Sequence, residues 1–478
     1  MMTEFLSEAH LRGEPEKNGI SDRILPKRKK GMASRKNFNP ARTMVLGFLA
    51  IIIVGALLLK LPISSHNGIT VSFLTALFTS TSATCVTGLS VVDAASTWSV
   101  FGRVVILCLF QIGGLGFMSI TTIFFFIMNR KINLSQRLLM VQSLNLHDRQ
   151  GIVGMVRHVL LGTFIFEGTG ALILWSRFAP DYGLWSGLGR GIFHSISAFC
   201  NAGFALTGDI RHFSSLTAYS GDAVVTITIM LLVMIGGLGF FVWEDIWRNR
   251  RFRKLHLHSK MVLVISLCLV LFGWIFFYFA ERTNPATMGD MPFPNAVLAG
   301  LFQSVMPRSG GFSVVNQAAL TGVSKIVVIM LMLIGGSAGS TAGGIKNVTV
   351  GIIFLSALSS LRGKKRLTVF GRAIPEPQIV TALSIAVMAL AVWLTGTAAV
   401  ALIQPELPVS GIVFEMASAV ATCGLSHGIT PLLTPASRVI TILLMFLGRI
   451  GIMTIGMAAF LRRNQAEEIK RPDTWVMM

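Results

Sequence analysis

A chain of 478 residues that is 53% hydrophobic and only 13% charged, with a mean hydropathy of +0.69, has too few charges to cover a soluble surface of its size. It reads as an all-α integral membrane protein, because its apolar runs match helices of about twenty residues rather than alternating strands of about ten. The net charge of +20 does not point to nucleic acid, since its placement follows topology.

Residues 1–43 form a polar leader with ten Lys and Arg, including Pro26 to Lys30, "PKRKK". It is expected to be largely disordered unless a partner or a membrane surface orders it. Apolar runs follow near 44–61, 101–128, 156–176, 223–247, 261–280, 324–355, 379–402 and 436–461, which predicts eight transmembrane helices. Loops 129–157, 248–260 and 362–372 carry five, six and five basic residues and the tail after 461 carries four, whereas 62–100 and 403–435 carry none. The positive-inside rule then makes both termini cytoplasmic in a multi-pass plasma-membrane protein. Clusters such as Arg248 to Lys254 act as topology determinants, or meet anionic headgroups or an acidic cytoplasmic partner. The leader is long and charged and its first apolar run continues into a span, so no cleavable signal peptide is expected. Five cysteines without a paired CxxC and nine histidines without HExxH indicate neither a disulfide framework nor a catalytic metal. Cys108 and Cys268 are expected to pack inside spans.

The segments between alternate spans share a pattern. Phe78 precedes Gly88 by ten positions in "FTSTSATCVTG", and the same spacing joins Phe193 to Gly203, Leu301 to Gly311 and Phe414 to Gly424. The glycines are 115, 108 and 113 residues apart, which indicates a fourfold internal repeat. A second register agrees, because Gly113, Gly236, Gly335 and Gly448 follow those glycines by 25, 33, 24 and 24 residues. Each unit reads as span, half-helix, glycine loop, span, with units at 44–128, 156–247, 261–355 and 379–461 and a tail at 462–478. Non-helical backbone at membrane depth is tolerated where it is buried in protein or lines a watery path. Four such loops around one pseudo-fourfold axis would present carbonyl rings that replace a cation's hydration shell. The half-helix C-termini would add partial negative charge, and the small residues Thr87, Ala202, Gly310 and Cys423 would keep the path clear.

This pattern resembles the Trk/Ktr/HKT superfamily of potassium transporters over residues 44 to 461, with no extra helix pair before the first unit, which is closer to its KtrB-type membrane subunit. The resemblance implies a selectivity filter formed by Cys85-Val86-Thr87-Gly88, Cys200-Asn201-Ala202-Gly203, Arg308-Ser309-Gly310-Gly311 and Ala421-Thr422-Cys423-Gly424. The third tetrad departs from the family, since Ser309-Gly310 stands where members often carry Thr-Ala, and ion preference stays open. The resemblance also implies K⁺ uptake with no covalent cofactor, often with Na⁺ as an activating or coupling ion. It implies a homodimer with one pore per protomer and a cytoplasmic nucleotide-binding ring of the KtrA (RCK) type.

Five glycines fall within ten residues at Gly335, Gly336, Ser337, Ala338, Gly339, Ser340, Thr341, Ala342, Gly343 and Gly344, followed by Lys346. An interior glycine costs a helix about 1 kcal/mol relative to alanine, so this span should be broken. The family resemblance makes it an intramembrane gate loop; close helix packing through small residues is the alternative, and it accounts well for the isolated "IGGLGF" motifs. Arg449 stands where the other units have Gly114, Gly237 and Gly336. A mid-span charge must face the pore or a polar partner, so Arg449 is either a barrier bonded to the gate loop's carbonyls or a structural arginine on a helix end. Glu167 bonds a neighbouring helix or contributes to a coupling-ion site. Glu244 and Asp245 end a span near the cytoplasm, and Glu415 supports its filter loop or draws cations into the mouth.

Two other functions compete. One is a sodium or poorly selective monovalent cation transporter. The other is an intramembrane serine hydrolase, because Gly335-Gly336-Ser337-Ala338-Gly339 is formally G-x-S-x-G. That site needs a base on Ser337, and the predicted spans offer no histidine except His158 at a cytoplasmic edge.

Overall fold

The computed structural model describes residues 40–66, 68, 70–116, 152–208, 215–364 and 366–451. The expectations for the leader up to residue 39, for 117–151 and for the tail beyond 451 lie outside the described residues. The first unit contains α1 (Pro40–Lys60), α2 (Phe73–Thr84) and α3 (Val100–Leu115). The second contains α4 (Ile152–Tyr182), α5 (Leu184–Phe199), α6 (Ala223–Gly237) and α7 (Phe240–Asn249). The third contains α8 (Leu257–Glu281), α9 (Phe293–Val305), α10 (Gly322–Leu333) and α11 (Asn347–Leu361). After a hairpin in which β1 (Thr368–Val369) pairs antiparallel with β2 (Arg372–Ala373), the fourth contains α12 (Glu376–Ile403), α13 (Val409–Ala421) and α14 (Pro435–Ile450).

Among the described residues, four helices, α1, α4, α8 and α12, are long and apolar enough to cross a bilayer. Each packs as the outer helix of its unit against that unit's pore helix, α2, α5, α9 or α13. The inner helices start on hydroxyl or carboxylate N-caps: Ser99, Asp222, Thr321 and Thr434 accept from backbone N–H groups in the first turn of α3, α6, α10 and α14. Such caps satisfy donors that a helix start otherwise leaves unpaired. Each inner helix then leans on the pore helix of the next unit, with α3 on α5, α6 on α9, α10 on α13 and α14 on α2. The contacts close a ring of four units.

Two expectations need correcting. The span at 223–247 is bent by 92° between α6 and α7. Gly239 at the corner has φ +96°, a left-handed conformation that glycine adopts without a Cβ penalty. "IGGLGF" therefore breaks a helix as well as packing one. The inner helices α3 and α14 end on similar residues, Gly116 with φ +82° and Gly451 with φ +87°. The second correction concerns Cys108 and Cys268, which lie on exposed faces, while Cys85, Cys200 and Cys423 are buried.

Candidate functional site

The four glycine loops meet. Each pore helix ends in a loop whose second tetrad residue, Val86, Asn201, Ser309 or Thr422, has positive φ between +46° and +66°, and the tetrad glycine has φ between +70° and +93°. Placing left-handed residues on either side of an ordinary one swings the intervening peptide planes and cannot continue a helix. A Cβ on Gly88 would lie 2.5 Å from Ala202 O, one on Gly203 3.4 Å from Gly310 O, and one on Gly311 2.7 Å from Cys423 O. A Cβ on Gly424 would collide with Thr87 O. Each unit's glycine thus abuts the third-position carbonyl of the next unit, and the ring closes from the fourth unit back to the first. Above it opens a vestibule of about 330 Å³ lined by all four glycines together with Ser90, Ser426 and His427.

The loops are held by repeated bonds. Thr87 N, Ala202 N and Cys423 N donate to Ser82 O, Ser197 O and Ser418 O at 2.7, 2.7 and 2.9 Å. The hydroxyls of Ser82 and Ser418 accept from Gly88 N and Gly424 N, both at 3.0 Å, and Ser197 Oγ donates to Phe204 O at 2.9 Å. The third loop is shorter by one residue: Gly310 N donates to Met306 O at 2.8 Å. The buried aromatic matching Phe78 is accordingly Phe302, nine residues before Gly311, and the partly buried Leu301 is not its counterpart. A second device fixes the pore helices to the outer ones. Ser80, Ser195 and Ser304 hydroxyls donate to Ile52 O, Glu167 O and Val270 O at 2.7, 2.6 and 2.7 Å. Gly55, Gly170 and Gly273, three residues further on, leave room for those serines.

Arg308 occupies the first tetrad position of the third loop but turns its guanidinium toward α8, donating to Ser266 O at 3.3 Å and Ser266 Oγ at 3.0 Å. Only its backbone remains available to the axis. Cys85, Cys200 and Cys423 are likewise buried.

The stretch Ile334 to Lys346 is a loop between α10 and α11. Its two ends pair, with Gly335 N on Ile345 O at 2.9 Å and Ile345 N on Leu333 O at 3.2 Å. Its body lies on the corner of the second unit, where Ser337 N donates to Gly237 O at 2.9 Å and Phe240 N to Gly339 O at 2.8 Å. Thr341 Oγ1 reaches the second glycine loop, bonding Phe199 O at 3.1 Å and Asn201 Oδ1 at 2.9 Å. Gly343 passes against Thr422, and Gly336 against Ala342 and Ser340. Lys346 Nζ returns to Ala342 O at 2.8 Å. Arg449 crosses to the loop from α14: its guanidinium donates to Thr341 O, and also to Gly113 O at 2.5 Å and Gly114 O at 3.3 Å at the end of α3. One cation therefore ties three units together. Among the described residues, Ser337 Oγ bonds only Ala338 O, at 3.4 Å, and no histidine activates it.

The remaining acidic residues divide by location. Glu415 is buried and its Oε1 accepts from Ser426 Oγ, Thr430 N and Thr430 Oγ1 at 2.5, 3.2 and 2.8 Å, which braces the chain after the fourth loop. Glu244 pairs with His158 and Arg248, and Asp245 with His256. Glu167 accepts from Gln111 behind the second loop. The bracing serines and the four helix caps escaped the sequence reading, although a serine six residues before Gly88, Gly203 and Gly424 is visible in it.

A family model described as a cation transport protein, TrkH, matches residues 40–469. The chain belongs to the TrkH cation-transport family. Its membership makes it a membrane transport protein and not an enzyme. Among curated TrkH-family relatives, the Ktr system potassium uptake protein B of Bacillus subtilis (strain 168) is 40% identical over 91% of this chain and 96% of its own length. The potassium/sodium uptake protein NtpJ of Enterococcus hirae is 36% identical over 93% of this chain and 98% of its own. The crystal structure of the potassium transporter TrkH from Vibrio parahaemolyticus has the same fold, with a TM-score of 0.70 at 16% identity over 89% of this chain and 86% of that one.

Proposed function

We propose that this chain is the membrane subunit of a potassium uptake system, passing K⁺ through a filter built from the carbonyls of residues 85–88, 200–203, 308–311 and 421–424. The observation that carries the reading is the closed ring in which each tetrad glycine abuts the next unit's third-position carbonyl. Carbonyls so placed can replace water around a dehydrated cation, and no acidic side chain is needed in the path. The name of the B. subtilis relative supports potassium as the ion. The loop 335–346 with Arg449 serves as the gate: it sits directly under two filter loops, and a positive guanidinium there opposes cations.

The uptake system requires further subunits on this reading. A homodimer with a cytoplasmic nucleotide-binding ring is proposed, with the basic loops and both termini on the cytoplasmic face of the plasma membrane. The name of the E. hirae relative favours a second reading, in which Na⁺ activates or accompanies transport. Uptake of K⁺, Rb⁺ and Na⁺ by purified protein in liposomes tests both, with Gly88→Ser alongside. Selective K⁺ and Rb⁺ uptake that Gly88→Ser relaxes toward Na⁺ is the expected result. Equal Na⁺ and K⁺ flux in the parent overturns the potassium reading.

A further inference from the structure

The fourfold repeat provides an internal comparison for each membrane position. On the outer helices, Ile52, Glu167 and Val270 are equivalent, because each offers its main-chain carbonyl to a pore-helix serine. On the inner helices, the residues two before Gly113, Gly236, Gly335 and Gly448 are Gln111, Met234, Leu333 and Phe446. At both positions the other units are apolar and one unit is polar. The two exceptions come from different units, yet they meet: Gln111 Nε2 donates to both Glu167 oxygens at 3.0 Å each. Glu167 is 5% exposed, so apolar packing of the kind its counterparts show would cost less than burying a carboxyl.

The pair leads to the filter. Gln111 Oε1 accepts from Cys200 Sγ at 3.2 Å, and Cys200 is the first residue of the second tetrad. A side-chain amide can face either way. Both Glu167 oxygens take the amide's NH₂ group, which leaves the amide oxygen facing the thiol. Gly114 passes against Cys200 on another side, leaving no space for a larger residue.

We propose that Glu167 and Gln111 form a specificity-determining support for the second filter loop. The carboxyl orients the amide, the amide holds the Cys200 side chain off the axis, and the carbonyls from Cys200 to Gly203 are thereby set against those of the other three loops. Both residues are positioning residues and neither touches the ion. The inference rests on the potassium-filter reading above. Loosening one loop of four leaves a conducting pore with weaker discrimination between ions of different radius.

The test compares the parent with Glu167→Gln, Gln111→Met and the exchange Glu167→Gln/Gln111→Glu, all purified in detergent. Thermal unfolding is followed while K⁺ or Na⁺ is titrated, giving the concentration of each ion that produces half of its stabilisation. The same proteins in liposomes give Rb⁺ uptake in competition with K⁺ and Na⁺. Each single substitution is expected to narrow the K⁺ to Na⁺ ratio about tenfold, the effect of about one hydrogen bond. The exchange restores a carboxyl and an amide that can hold the thiol, and it is expected to recover the ratio. A purely structural role would lower the melting temperature of the single variants and leave their ratios alone. A selective parent whose ratio survives both single substitutions overturns this inference and spares the potassium reading. A parent with no preference overturns both.

Discussion

Arg449→Ala removes a side chain that bridges the loop 335–346, α3 and α14. Its guanidinium bonds Thr341 O on the loop, and Gly113 O and Gly114 O at the end of α3. A hydrogen bond from a charged donor contributes about 1.5–3 kcal/mol net, and the carbonyls it leaves can be rehydrated from the pore, so the bond to the loop is worth ~2 kcal/mol. That energy corresponds to about a thirtyfold change in the ratio of displaced to seated loop. Removal of a positive charge from the cation path acts in the same direction. Arg449→Lys keeps the charge but offers a single point donor, and it should fall between the parent and the alanine variant. The assay is the initial rate of Rb⁺ uptake at saturating Rb⁺ in liposomes containing this chain alone. A rate for Arg449→Ala indistinguishable from that of the parent, in protein of unchanged melting temperature, would refute the assignment of this loop as the gate.

Packing of the inner helices gives a second prediction. A Cβ on Gly113, Gly236 or Gly448 would collide with the carbonyl of Thr84, Phe199 or Val420, so each alanine variant should lose about 1–3 kcal/mol of stability through overpacking. Gly168→Ala, with nothing within 4 Å, should be neutral or stabilising by up to ~1 kcal/mol; equal melting temperatures across the set would refute the packing argument. Ser82→Ala and Ser418→Ala each remove a hydroxyl that accepts from a tetrad glycine N–H, and a loss of about 1 kcal/mol should appear as weaker K⁺ over Na⁺ discrimination in competition uptake. His427 lines the vestibule, and burial, followed by the charge of Lys325, lowers its pKa. Its neutral form is the one the fold favours, so the contribution to stability is present above the ordinary value of about 6.5 and is lost as pH falls below it. Acidification through that window should also put a cation at the mouth and slow uptake, and His427→Gln should flatten the profile.

The architecture was largely legible because it is repeated. One glycine loop resembles any turn, whereas four at matched offsets imply an axis, and the broken third inner helix announces itself through five glycines in ten residues. The corner at Gly239 was hidden because a small-residue run serves close packing and chain reversal equally well, and only the dihedral separates them. The one-residue shortening of the third loop was hidden too, since Leu301 and Phe302 are adjacent and either satisfies an apolar position. The outward turn of Arg308 depends on a partner 42 residues away, Ser266, and local spacing carries no trace of it.

The closed ring is made by one polypeptide, so no symmetry operator copies a substitution around the axis. Four identical subunits would place four guanidiniums where Arg449 stands, and their mutual repulsion in a confined space would be prohibitive. They would also place four acids at the level of Glu167. On the proposed filter reading, covalent linkage lets one quadrant hold the loop 335–346, another a fixed cation and a third a buried acid, while all four would still supply near-equivalent oxygens to an ion. The price is that no quadrant can be replaced by its neighbour.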